Sequence, residues 1–250
     1  MLLSPVLLRP SRWAFVAIAA LASAAVTGAP RGALASPAVT PTDAATAPAV
    51  RYGKLSKGAC ESELVRRGVA FTSLPGARGV VAPVRITAPI RGVSFRTELP
   101  TKMRATTPYE IADCRLVLAL DDFAAILAKH DVIEVHHFSM YRPPGTHWPA
   151  GKAGTRHAGA LAIDAGKFIR KDGSVLDVEK DFHGLIGNPT CGPGAGPDPA
   201  TPAALELRKI VCEAADARLF NVELTPDYNY EHRNHFHLEV TANVSWFLVH

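Results

Sequence analysis

Apolar and polar positions alternate most strictly near the end of the chain, where Phe236, Leu238 and Val240 interleave with His235, His237 and Glu239. A period of two places the first set on one face of a strand and the second on the other, so one face is core and the other carries chemistry. Upstream, Leu161 and Ile163 alternate with Ala162 and Asp164 in the same way. This predicts a second strand whose carboxylate stands beside small residues that let another strand approach. The run from Val132 to Arg142 is rich in β-branched and aromatic residues and stops at Pro143 and Pro144, which predicts a strand leading into a loop. Thr107, Pro108 and Glu110 supply an N-cap, a first-turn proline and a capping-box partner for a helix to about Lys129, with Ile111, Cys114 and Leu118 on its buried stripe. Thr201 and Pro202 open a second helix carrying Leu207, Ile210, Val211 and Ala214 on one face. Residues 51–106 read as a short helix followed by small strands, 172–178 as a turn and strand, and 187–202 as a long loop rich in glycine and proline. The expected fold class is α+β, a small antiparallel sheet flanked by helices.

Composition adds a leader to this picture. Arg9 and Arg12 precede an apolar run from Trp13 to about Ala29, and Ala33-Leu34-Ala35 offers the small residues of a signal-peptidase site. The expected organisation is a signal peptide over 1–35, an Ala/Pro/Thr-rich linker over 36–54 and one domain over 55–250. The apolar run is diluted by Ala, Gly and Thr and falls short of the ~20 predominantly apolar residues that span a bilayer, so no stable membrane span is expected after cleavage. The expected location is the periplasm or cell envelope, or the outside of the cell, and a monomer is expected. Loss of Arg9, Arg12 and Arg31, with no acid in the same stretch, takes the formal charge from +4 to +1. No basic patch with interleaved aromatics is present, which argues against nucleic acid as a partner. The four cysteines, at 60, 114, 191 and 212, suit two disulfides in an oxidising compartment. Three pairings are open; Cys60 with Cys114 and Cys191 with Cys212 is favoured, because the second would tie the Gly/Pro loop to a helix. The close C-x-x-C spacing of a thiolate metal site is missing.

Candidate chemistry concentrates in the second half, since all ten histidines follow Lys129. A catalytic zinc takes three nitrogen or oxygen ligands and leaves a position open, and His157, Asp164 and His237 meet that requirement. His235 shares the face of His237, two residues away, and is the candidate general base. Glu231 is the rival base, on condition that the strand extends back far enough to put it on the same face. Arg142, at the mouth of the loop after the 132–142 strand, is a candidate for a substrate carboxylate or a developing oxyanion, against an ordinary surface ion pair. His136, His137, His147 and His183 are read as surface or satisfied core residues, His130 and His232 are left open, and His250 is expected to fray.

Three segments carry a resemblance: SMYR at 139–142, RHAGALAID at 156–164 with GKFIRKDG after it, and NHFHLEV at 234–240. In these the chain resembles the bacterial extensin-like C-terminal family. Through it the chain is similar to the zinc peptidase superfamily that joins D-alanyl-D-alanine peptidases, murein endopeptidases and hedgehog proteins. The likeness spans about residues 55–245, and the four cysteines fit the family's layout. It implies a hedgehog/DD-peptidase-like fold and a zinc peptidase acting on peptidoglycan stem peptides or cross-links. It also implies metal ligands at His157, Asp164 and His237, a catalytic His235 and a substrate-binding Arg142, while Glu231 stands where some relatives use a carboxylate. The superfamily's Ser-x-His-x-x-Gly-x-Ala-x-Asp pattern is met by Thr155, His157, Ala162 and Asp164, but Ala160 stands where glycine is usual and Gly159 comes one residue early. Two other readings compete: a non-catalytic, zinc-stabilised module that binds the cell wall, and a disulfide-stapled structural domain without metal.

Overall fold

A computed structural model describes residues 41–250, and the expected signal peptide lies outside them. Helices α1 (Pro41–Thr46), α2 (Pro48–Gly53) and α3 (Lys57–Arg66) lead into β1 (Phe71–Ser73), β2 (Pro83–Ile86) and β3 (Ser94–Arg96). Then come α4 (Thr101–Arg104), β4 (Ala112–Asp113), the long α5 (Cys114–Lys129) and β5 (Val132–His137). β6 (Ala162–Arg170), β7 (Val175–Asp177), α6 (Val178–Asp181) and α7 (Pro202–Asp216) follow, and β8 (Val222–Leu224), β9 (Phe236–Glu239) and β10 (Leu248–Val249) close the described chain.

The fold is α+β, with a larger and more mixed sheet than the alternation pattern predicts. β1, β2 and β4 form a three-stranded sheet, and the main sheet runs β10-β8-β9-β6-β5-β3 with β7 also paired to β6. Its middle strands are antiparallel, while β10 joins β8 and β3 joins β5 in parallel. These two edge strands have two and three residues, too few for a periodic signal. β6 reaches both β9 and β7 on one side and β5 on the other because it is nine residues long. His136 lies opposite Lys167 but His137 opposite Ala165, so Gly166 is the extra residue of a bulge. The bulge restores phase, leaving Ile163, Ala165 and Phe168 all in the core. There the Phe123 ring of α5 meets Phe168 and Phe220, and Phe236 of β9 meets Phe168 and Phe182, at centroid separations of 5.4–6.5 Å.

Four local expectations change. Helix α5 begins at Cys114, with Asp113 as its N-cap, while Pro108–Glu110 forms a separate 3-10 turn. The turn proline stops there because Ala112 and Asp113 pair with β2, and the Glu110 carboxylate accepts from Thr97 N and Oγ1 instead of closing a capping box. The Asp113 carboxylate accepts from Ala82 N and Arg115 N, each at 3.0 Å, and from the Arg115 guanidinium, joining the small sheet to the helix start. The linker expectation fails for residues 41–53, which form α1 and α2; Val50 and Tyr52 are buried, and the Tyr52 hydroxyl bonds Asp122. His250 does not fray, since its N–H donates to Glu223 O and its carbonyl accepts from Thr225 N. The strand after Val132 ends at His137, short of Arg142.

Other expectations hold. Thr201 caps α7 with its side chain on Ala204 N, and Leu207, Ile210, Val211 and Ala214 are buried. The disulfides are Cys60–Cys114, joining α3 to α5, and Cys191–Cys212, joining the Gly/Pro loop to α7. Among the described residues no helix is long and apolar enough to cross a membrane.

Glu223 of β8 is fully buried, and neither of its carboxylate oxygens has a hydrogen-bond partner among the described residues. Burial, reinforced by the charge of Asp216, pushes its carboxyl well above the usual range. A raised carboxyl contributes fully below its unfolded value and loses that contribution as pH rises through its folded value. Glu223→Gln is therefore expected to melt higher than wild type at pH 8, by about 2–4 °C for each kcal/mol relieved, with the gap closing near pH 4. A thermal scan giving the same difference at both pH values would contradict the buried, uncompensated acid.

Candidate metal centre

The cluster is assembled by strand register. In the β6–β9 pairing Asp164 lies directly opposite His237, and Ile163 opposite Leu238. Opposed residues project to the same face, so the acid and the imidazole meet on one side while Ile163 and Leu238 enter the core on the other. The third group, His157, comes from a 3-10 turn over Arg156–Gly159 just before β6. This turn is held by Leu161 N donating to Arg156 O and by Arg142 N donating to His157 O, at 2.9 and 3.0 Å. It lies so close to the preceding chain that a Cβ on Gly159 would stand 2.3 Å from Gly154 O. Ala160 ends the turn in the left-handed region, φ 53° and ψ 31°. A residue with a Cβ is strained there, which is a physical reason for the glycine that the resemblance leads one to expect at this position.

Oδ1 of Asp164 is the centre of the arrangement. His157 Nε2 and His237 Nδ1 each lie 3.0 Å from it and 3.3 Å from one another, and His235 Nε2 lies 3.3 Å from the same oxygen. A tetrahedral zinc holding such atoms at about 2.0–2.1 Å sets neighbouring ligands about 3.3 Å apart, so the His157–Asp164–His237 triangle has the size for that ion. The opposite nitrogen of His157, Nδ1, faces Met140 O at 3.2 Å, and that of His237, Nε2, faces Glu239 Oε2 at 3.4 Å. Such outer contacts orient ligand rings. The other oxygen of Asp164 bonds the Arg142 guanidinium, whose Nε donates to Ser139 Oγ at 2.9 Å.

Charge follows geometry. Burial alone would raise the Asp164 carboxyl, but the bonds from His157, His235 and His237 outweigh it and hold it well below the usual carboxylate range. His237 is shifted upward: burial opposes its charge, and the contacts to Asp164 and Glu239 more than compensate. His232 is pushed down to about 4 by burial and then by repulsion from His235 and His237.

His157, Asp164 and His237 thus converge, and His235 stands at their edge with its Nδ1 on Asn234 Oδ1 at 2.8 Å and its ring against Phe138. His232 joins the group, its ring centroid 5.2 Å from His235 and 5.8 Å from His237. Glu231 is exposed on a 3-10 turn over Tyr230–His232, and the strand begins only at Phe236, so the condition that would align it with His237 is not met. The Arg142 side chain is about half exposed and, with Tyr109, Phe138, Ser139 and Pro143, lines an open cavity of about 490 Å³. Elsewhere, His130 bridges Glu206 and Glu213 of α7, and His136 bonds Glu98 and Glu134. His137 is buried but not satisfied: neither ring nitrogen has a hydrogen-bond partner among the described residues, and burial pushes it down to about 4. Sequence reasoning placed Glu239 on the chemical face without giving it a role; the His-x-His-x-Glu alternation was the available signal.

One protein family, described as extensin-like protein C-terminus, has a model that matches residues 58–248. No curated protein and no solved structure matches the chain.

The turn geometry makes two neighbouring positions respond oppositely. Gly159→Ala is expected to lose about 2–3 kcal/mol of stability or more, because its methyl meets backbone that cannot yield. Ala160→Gly is expected to be neutral or to gain up to about 1 kcal/mol by relieving the left-handed strain. Urea unfolding of both variants checks this, and the reverse order of damage would refute the assigned turn.

Proposed function

The chain belongs to the extensin-like protein C-terminus family, and from that premise and the His/Asp geometry we propose that it is an exported zinc-dependent peptidase cutting an amide bond in peptidoglycan stem peptides or cross-links. The observation that carries the reading is the meeting of two imidazoles and one carboxylate from separate parts of the chain, with donor atoms 3.0–3.3 Å apart. The likeness of the same motifs to zinc peptidases supports it, and both disulfides suit an exported protein.

His157 Nε2, His237 Nδ1 and Asp164 Oδ1 would hold the ion. When bound, zinc polarises a carbonyl and lowers the pKa of water from ~15.7 to about 7. His235, through Nε2, is the group to take the proton of the attacking water or to donate a hydrogen bond to the developing oxyanion. Its Nδ1 contact with Asn234 and its packing on Phe138 fix the ring for that work. Arg142 lines the adjoining cavity with Tyr109 and Phe138, a setting for a substrate carboxylate or carbonyl. Glu231 ranks second to His235 as base, because it stands on the exposed turn.

That same position of Glu231 favours a second reading. A site with a full ligand set and no carboxylate base beside it also describes a zinc-stabilised module that binds wall peptides without cutting them.

Purified mature protein is expected to carry about one zinc per chain, and His157→Ala or His237→Ala to lose it. His235→Ala is expected to keep the metal while cleavage of muropeptides, read as new amine termini by mass spectrometry, falls about 10²–10⁴-fold. Zinc binding by a wild type that never cleaves would favour the binding module, and absence of stoichiometric zinc in the wild type would sink both readings.

A further inference from the structure

Glu239 is buried, its side chain only 4% exposed, in a strand paired on both sides, yet its carboxylate has a defined set of polar neighbours. Oε1 accepts from Thr241 Oγ1 at 2.8 Å, Oε2 lies 3.4 Å from His237 Nε2, and Arg156 Nε lies 3.7 Å from the same oxygen. A carboxylate oxygen accepts hydrogen bonds, so its contact with His237 Nε2 would assign the ring's hydrogen to that nitrogen.

That assignment matters because His237 has two acceptors to choose from. Its Nδ1 lies 3.0 Å from Asp164 Oδ1. A hydrogen on Nδ1 would donate to Asp164 and close the cluster against a cation, whereas a hydrogen on Nε2 leaves the Nδ1 lone pair pointing at His157 and Asp164. His157 solves the same problem in the opposite sense: its Nδ1 faces Met140 O and its Nε2 faces the cluster. Both rings thus face Asp164 Oδ1 at 3.0 Å on the inside, and they differ outside, where His237 meets a carboxylate rather than a carbonyl. We propose that Glu239 is the positioning residue of the centre: it holds the His237 hydrogen on Nε2 and so presents Nδ1 as a metal ligand, while Thr241 and Arg156 fix its own carboxylate. The role as ligand orienter rests on the zinc reading above; the tautomer is argued from the Glu239 contact and is tested without metal.

Two measurements test it. Nitrogen-15 NMR of the metal-free wild type at alkaline pH, where the ring is neutral, is expected to show His237 as the Nε2–H tautomer; the Nδ1–H tautomer would overturn the proposal whether or not the protein binds zinc. Chelator competition is expected to show zinc binding about 10–100-fold weaker in Glu239→Ala, with a smaller loss in Glu239→Gln, which keeps an acceptor oxygen but not the charge. A purely packing role would lower the melting temperature of the metal-free protein without changing the tautomer. If Glu239→Ala does not fold, Glu239→Gln carries the affinity test, and zinc affinity within twofold of wild type in the folded variants overturns the proposal. A wild type that binds no zinc defeats the functional reading instead, and the tautomer of the metal-free ring then decides the part that stands on geometry.

Discussion

The pairing of β6 with β9 is the constraint from which the rest follows. Because side chains alternate faces, a slip of β9 by one residue would turn His237 into the core, away from Asp164, and bring Leu238 to the polar face. The energy that forbids the slip comes from the other face, where Phe236 packs on Phe168 and Phe182 and the whole set is buried. The polar cluster is therefore aligned by apolar contacts behind it. The Gly166 bulge serves the same end, letting one long strand keep a polar face beside β9 and an aromatic core face beside β5.

What could be read from the sequence was what obeys a short period or a local cap. The alternation at 235–240 and at 161–164 is a period-two signal, and the Thr201 cap is encoded within three residues of its donor partner. Longer-range features were not legible in this way. The strong turn signal of Pro108 suggested a helix start, but pairing of Ala112 and Asp113 with β2 moved the start to Cys114. An alanine-rich stretch looked too poor to fold, yet Val50 and Tyr52 find burial against α5 and its neighbours, and small alanines allow the approach. Arg142 stood out from its place at the end of the 132–142 run, but the parts played by Met140 O and Ser139 were hidden: they reach the cluster only through the loop after β5, and nothing in their spacing reports that return.

The two oxygens of Asp164 face different company. Oδ1 collects the imidazoles and Oδ2 pairs with a guanidinium, so one carboxylate both gathers the cluster and ties it to the loop that lines the neighbouring cavity. Displacing that loop would pull on the acid at the centre, which couples the shape of the cavity to the geometry of the three donors.

The chain also keeps its sulfur chemistry apart from its nitrogen and oxygen chemistry. All four cysteines are bonded to one another, and none of the groups around Asp164 is a thiol. Disulfide formation and any ion held at the cluster therefore draw on separate atoms. A soft, thiol-seeking ion such as mercury or cadmium finds no free sulfhydryl here, and the donors gathered around Asp164 are nitrogen and oxygen atoms.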